Sequence, residues 1–407
     1  MTYVSEILAQ MTDVFKPQQK AILALLSALM CFSGRATMRN LSRYGAGSPK
    51  RLRRWASQEF GYLNFNLRLL DKHQVIINDP QPMVDKPKRL NQAILIDATF
   101  LRKSGGNTEG LGWFHNGSSR STQKLEPGLE MTLIAAVNMD EHSAYALSAH
   151  QSLDQSALEL ACDQLSKQSD RLQEISKYVV ADGYYARERF VSTTLENGFE
   201  LVTLLRRDAA LRYLYEGDYQ GKGRPKRYAG RVDYEDLSSW ELHRAVRDGF
   251  KIYSRIVNYP AWGRDLLIVI KVDRSGHRRI LCSTDLTLSV TQVLELYELR
   301  FQIEFLFRDA KQHTGLGHAQ TLDSHGQEHF ANASLCAVNL LRLEARSIVL
   351  ERGLAPRNMV TSVRSLKVRK YNQLVIKNFL SCLGLTQDQQ IYLAVLDEVA
   401  QTGIRAA

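Results

Sequence analysis

Two short apolar runs, each closed by an aspartate, constrain this chain more than any other feature. Residues 93–96 (Ala-Ile-Leu-Ile) run into Asp97, and residues 178–181 (Tyr-Val-Val-Ala) run into Asp182. Apolar runs this short suit strands buried on both faces, as in sheets covered by helices. Around them the chain alternates. Strand candidates at 131–137 and 144–148 flank a polar turn at 138–141 and are followed by a helix at about 155–173. The 178–181 strand, a helix at 186–197 and a strand at 200–205 complete the run. This order predicts an α/β class built on a mixed sheet. Both aspartates are then expected at the carboxyl ends of strands, where open α/β sheets hold their sites.

The segments on either side read differently. Residues 1–85 are expected to be helical: one helix begins near Pro17 and runs through Phe32, and a second covers 36–44 before Gly45 and Gly47. Ser48-Pro49 forms an N-cap and first-turn pair opening a third helix at 50–58, which carries Lys50, Arg51, Arg53 and Arg54 on anchors Leu52 and Trp55. Two short helices about a Gly-containing turn, the second strongly basic, suit a helix-turn-helix-like DNA-contacting region. A solvated basic face on an ordinary helical bundle suits the same residues. Pro80, Pro82 and Pro87 mark a linker, and residues 104–127 a polar, Gly-rich loop near the site. Residues 206–288 read as a β-rich insertion, with a basic loop from Lys222 through Arg224, Lys226 and Arg227 and alternating runs at 251–257, 266–272 and 279–283. A long helix at 290–313 follows, ended by Gly315 and Gly317, and the rest is mainly helical. The expected division is a helical, DNA-binding region at 1–85, a catalytic core at 86–325 interrupted at about 206–288, and a C-terminal helical region at 326–407.

The 53 Lys and Arg against 43 Asp and Glu give a net charge of +10, which favours a polyanionic partner. Five cysteines are scattered without a CxxC or Cys/His zinc pattern, as in a reducing compartment. The longest apolar run, 21–32, falls short of the ~20 residues a bilayer needs. The expectation is a soluble cytoplasmic protein with no membrane partner.

The segment from Leu296 to Lys311 carries the most chemistry. On a helix, Leu296, Leu299, Ile303, Leu306 and Ala310 line one apolar face, while Tyr297, Arg300, Glu304 and Lys311 stack into a polar stripe beside it. Phe301, Phe305 and Phe307 surround that stripe, so the helix is expected to be largely buried, and buried charges need partners or a purpose. An incidental Arg300–Glu304 i,i+4 pair on a surface helix is the plain alternative. Glu304 with Asp97 and Asp182 makes three carboxylates able to converge on hard cations. An all-oxygen set favours magnesium or manganese over zinc. Two such ions about 4 Å apart suit an in-line phosphoryl transfer.

The spacing Tyr297-x2-Arg300-x3-Glu304-x6-Lys311 resembles the Tyr-Arg-Glu-Lys signature of a group of bacterial insertion-sequence transposases with a DDE catalytic triad. The surrounding words match too: Ile94 to Asp97, Val180 to Tyr184, and Arg300 through Leu316. The resemblance covers about residues 90–345. It implies an RNase H-like catalytic core, with Asp97, Asp182 and Glu304 as catalytic ligands of two magnesium (or manganese) ions. It implies that Tyr297, Arg300 and Lys311 contact DNA beside the cleaved end, and that the β insertion lies between the second Asp and the Glu. Relatives with this insertion cut by way of DNA hairpins, an aromatic side chain of the insertion holding a flipped base. Trp240 and Trp262 are the candidates here, but simple packing is the favoured reading of both. The implied partners are double-stranded DNA, as terminal inverted repeats and target, and a second copy of the chain in the DNA complex. The implied activity is cleavage at element ends and strand transfer, in a bacterial, DNA-associated protein. Two rivals stay open: an RNase H-like nuclease without strand transfer, and a domesticated DNA-binding protein.

Overall fold

The computed structural model describes residues 1–76, 91–117, 124–219, 221, 223–243, 249–355, 362–384, 399–400 and 402. Pro80, Pro82 and Pro87, Lys222 of the basic loop, and residues 118–123 of the polar loop lie outside them.

The N-terminal region is helical as expected, with α1 (Thr2–Gln10), α2 (Lys16–Leu29), α3 (Met38–Ser42), α4 (Pro49–Ala56) and α5 (Tyr62–Lys72). The start of α4 follows from its sequence. Ser48 Oγ accepts a hydrogen bond from Arg51 N at 3.3 Å, and Pro49 sits in the first turn, where its missing N–H costs nothing. Leu52 and Ala56 bury one side of α4, leaving Lys50, Arg53 and Arg54 exposed.

The central unit opens with β1 (Gln92–Arg102), β2 (Gly112–His115), β3 (Leu125–Asn138) and β4 (Ser143–Gln151). Then come α6 (Ala157–Gln173), β5 (Tyr178–Ala181), α7 (Glu188–Glu196) and β6 (Glu200–Leu205). β1 pairs antiparallel with β3 and β3 with β4, whereas β5 adds parallel to β1, and β6 parallel to β5. The resulting order β4-β3-β1-β5-β6 is the mixed, RNase H-like sheet expected from the sequence. Residues 93–96 and 179–181 are fully buried, which is why these strands read as unbroken apolar runs.

One expectation is corrected here. Asp97 does not end its strand, because β1 continues five residues further, Ala98 to Arg102 pairing with Thr132 to Gly128 of β3. That mixed polar segment is held as strand by its long partner rather than by its own pattern. Only β5 stops at the level of the aspartates.

The insertion contributes β7 (Arg212–Leu214), β8 (Tyr228–Arg231), β9 (Glu241–His243), β10 (Lys251–Tyr259), β11 (Arg264–Val272) and β12 (Arg278–Ser283). It prolongs the core sheet. β12 pairs antiparallel with β6, and the order continues β12-β11-β10-β7-β8, with β9 also on β10. The expected long helix at 290–313 is divided into α8 (Val290–Leu299), α9 (Phe301–Asp309) and a π-helical turn, Ala310–Thr314. Arg300 keeps helical dihedrals, but its N–H reaches back three residues to Tyr297 O at 3.1 Å, tightening the helix there. α10 (Ser324–Glu351) then packs on β4 and α2, and α11 (Val363–Cys382) on α10. Among the described residues, no helix is long and apolar enough to cross a membrane.

Candidate active site

Where β1 and β5 run side by side, Ile96 is paired with Ala181. Asp97 and Asp182 are the next residues of the two neighbouring strands, which lie ~4.8 Å apart. Asp182 is fixed at both ends: its Oδ1 accepts from Tyr184 N at 2.8 Å and its carbonyl from Thr203 Oγ1 at 3.0 Å. Asp97 Oδ1 accepts from Ala98 N at 2.9 Å. Burial, and after it the neighbouring Asp182, push the Asp97 carboxyl up to about 7, against the opposing pull of Arg300 and the Ala98 N–H.

The catalytic-helix stripe meets these aspartates. Arg300 is buried, its Nη2 lies 2.8 Å from Glu304 Oε1 and its Nη1 3.8 Å from Asp97 Oδ2. Its Nε has no partner among the described residues. A buried guanidinium thus ties the glutamate of the predicted triad to the first aspartate. Tyr297 is buried beside it, with Arg300 Cζ 5.8 Å from its ring, and burial raises its hydroxyl pKa. Lys311 is half-buried and makes no hydrogen bond or ion pair among the described residues, and burial alone lowers its pKa. The structure therefore brings together Asp97, Asp182, Arg300, Glu304 and Tyr297, and leaves Lys311 as an uncompensated cation further along the same helix.

As positioned, no three His, Cys, Asp or Glu side chains among the described residues stand close enough to hold one metal ion. The physical reason is at hand: Arg300 occupies the Glu304 carboxylate. The donor chemistry still fits a hard cation. All the candidate ligands are carboxylate oxygens, and burial, with Asp182 beside it, raises Asp97 to about 7, a penalty that a divalent ion would relieve.

The helix faces divide as the periodicity predicts, with Leu296, Leu299, Ile303, Leu306 and Ala310 all buried. The phenylalanines differ from expectation. Phe307 is buried, but Phe301 and Phe305 are each 41% exposed, covered only by Arg300 and Arg308 at 4.7 Å. Trp240 and Trp262 are packed, not presented: Trp240 Nε1 donates to Tyr213 Oη at 3.1 Å, and the Trp262 ring lies 5.0 Å from that of Tyr259. Sequence reasoning missed a cleft of about 340 Å³ against the helix, lined by Arg207, His277, Arg279, Tyr297, Arg300 and Phe301 among others. The density of basic residues between Asp273 and Arg279, in a turn joining two strands, was the available signal. It missed Tyr185 too, whose buried hydroxyl has no hydrogen-bond partner among the described residues and feels both aspartates.

Two aspartates side by side on a mixed sheet, with a helix that sets Arg300 against the first of them and Glu304 beside it, suit an α/β phosphoryl-transfer enzyme. Residues 88–340 match the family described as "Transposase DDE domain", and the protein belongs to that family. It is accordingly a metal-dependent phosphoryltransferase of DNA transposition. Among solved structures, the NurA nuclease from Sulfolobus solfataricus is similar at 11% identity and a TM-score of 0.27, over 57% of this chain and 81% of that one. So low a score carries no argument. No curated protein matches the chain.

Proposed function

We propose that this is a cut-and-paste transposase of the insertion-sequence group with the Tyr-Arg-Glu-Lys signature, acting on terminal inverted repeats and target DNA as a dimer. The observation that carries the reading is Arg300, buried between Glu304 and Asp97 beside Asp182. A buried guanidinium shared between two carboxylates suits a site prepared for metal and phosphate.

Asp97, Asp182 and Glu304 are the proposed ligands of two magnesium or manganese ions, which would supply charge for the attacking and leaving oxygens. Arg300 releases Glu304 and turns its fork to a DNA phosphate, which offers the same paired oxygens. Tyr297 and Lys311 grip the backbone on either side, Lys311 gaining the anion it lacks. Phe301 and Phe305 give bases an apolar surface. With Trp240 and Trp262 buried, an extruded base has the cleft of Arg207, His277 and Phe301 open to it. Hydrolytic nicking, attack of the freed 3′ hydroxyl on the opposite strand, hairpin reopening and strand transfer each exchange one P–O bond for another. One site serves all four steps.

The test is cleavage of the cognate element end by wild type and Glu304→Ala with magnesium, manganese or calcium. Wild type cleaves and joins with magnesium or manganese. The variant loses about a thousandfold in rate and keeps its DNA affinity. Unchanged cleavage by the variant overturns the triad, and cleavage without joined products favours a nuclease.

A further inference from the structure

The hairpin of β7 and β8 closes the far end of the sheet. Five strands (β6, β12, β11, β10 and β7) separate β8 from β5, so β8 stands roughly 30 Å from Asp182 at the usual strand spacing. Its loop ends in Gly223-Arg224-Pro225-Lys226-Arg227, all exposed. The base of the loop is fastened. Tyr215 N donates to Arg227 O at 3.0 Å, Tyr219 Oη to Gly223 O at 2.8 Å, and Arg212 Cζ sits 3.4 Å from the Tyr228 ring. The cations of this β8-side arm, the basic tip of the hairpin's exposed edge, are uncompensated. Arg224 makes no hydrogen bond or ion pair among the described residues, and Lys226 and Arg227 have only ring neighbours, Tyr215 at 5.1 Å and Tyr228 at 6.0 Å. Glu216, an acid of the same loop, is already paired with Arg255 at 2.7 Å.

This tip has the profile of a narrow groove. The minor groove of B-DNA is about 6 Å wide and 7.5 Å deep, too narrow for a helix but open to an extended backbone with small neighbours. Gly223 has no side chain, and its φ of +76° is one that other residues resist. Pro225 fixes its own φ, lacks an N–H, and pushes Arg224 toward an extended conformation. One extended arginine thus stands between two residues of low profile, with Lys226 and Arg227 behind it. A·T runs present the narrowest groove and the deepest negative potential, and lack the guanine amino group that would block entry.

We infer that this tip reads the minor groove of A·T-rich duplex DNA, Arg224 entering the groove while Lys226 and Arg227 meet the phosphates along its walls. It is a second DNA contact, separate from the carboxylate site, and it operates without metal or cleavage. Its distance from the aspartates corresponds to roughly nine base pairs at 3.4 Å each.

The test uses the full chain in metal-free buffer with three labelled duplexes of equal length, A·T-rich, G·C-rich and inosine·cytosine, read by fluorescence anisotropy. Inosine·cytosine pairs keep the major-groove face of G·C but have the minor-groove face of A·T. The protein binds the A·T and inosine duplexes about tenfold more tightly than the G·C duplex. Arg224→Ala removes that preference and leaves G·C binding unchanged, with an unaltered melting temperature to show that the fold is kept. The double variant Lys226→Ala/Arg227→Ala weakens all three alike. If the inosine duplex behaves like the G·C duplex, or Arg224→Ala weakens all three equally, the tip only touches phosphates and the inference is overturned. Because no metal is present, neither result depends on the triad.

Discussion

Asp97 shows how a single residue can be stable in the chain's interest only when the site is filled. Its carboxyl is raised from the ordinary 3.8 to about 7, first by burial and then by Asp182. Between those two values the unfolded chain has given up a proton that the folded chain keeps. Stability of the metal-free protein therefore falls as pH rises through that window, and levels off above 7. Asp97→Asn is neutral at every pH and escapes the penalty. Without divalent ions, the variant melts higher than wild type by a margin that is small at pH 5 and grows to several degrees at pH 8. Equal melting temperatures at both pH values would show that Asp97 is ionised throughout. The same variant loses cleavage, since an amide cannot replace a charged ligand, so the two measurements separate stability from chemistry. Arg300 has the complementary role: it relieves Glu304 and part of Asp97 at once, and only the fold puts it there, because Asp97 lies two hundred residues earlier in the chain.

At the scale of elements, the catalytic helix is built in three pieces, and its end is pinned. The π-helical turn Ala310–Thr314 closes on Gly315, which adopts φ of +87°. A Cβ there would come 2.4 Å from Ala36 Cβ, in the segment before α3. Gly315→Ala thus meets a left-handed backbone and a backbone-borne neighbour together. It is expected to cost about 2–3 kcal/mol, measured as a lower denaturation midpoint, and to weaken DNA binding by displacing Lys311. A midpoint within error of wild type would show that the two segments are free to separate. Elements whose cause is local were legible in the sequence: β5 from its unbroken apolar run, α4 from Ser48-Pro49, the buried face of α8 and α9 from its spacing. What was not legible has a distant cause. The continuation of β1 beyond Asp97 depends on pairing with β3, the placing of Arg300 against Asp97 on the packing of helix on sheet, and the cleft on a hairpin turn brought back against α8. Trp240 and Trp262 are packed, the reading favoured for both from the sequence.

The whole molecule shares one interior. A single hydrophobic cluster runs from Val4 and Leu26 of the N-terminal helices, through β1, β5 and the insertion strands, to Leu366 of α11. Polar links seal the same boundary from within. Asn66 Nδ2 donates to Leu147 O of β4 at 2.9 Å and its Oδ1 accepts from Asn339 Nδ2 of α10 at 3.1 Å. Asn138 Nδ2 donates to Val75 O at 2.9 Å, Tyr62 Oη to His329 O at 3.1 Å, and Ala36 N to His318 Nδ1 at 3.1 Å. Removing the helical region would break these links and expose the apolar faces of β4 and α10 to water. A net stability of roughly 5–15 kcal/mol does not survive several such losses. Deletion of residues 1–76 is therefore expected to abolish folding of the catalytic sheet as well as DNA contact by α4, seen as loss of a cooperative melt and of protease resistance. A truncated chain that melts cooperatively, and differs only in DNA affinity, would instead make the helices a separable reader placed on an independent enzyme. The buried Asn66–Asn339 contact argues for the first outcome, since an amide pair joining a helix of each part has no purpose in a protein whose parts come apart.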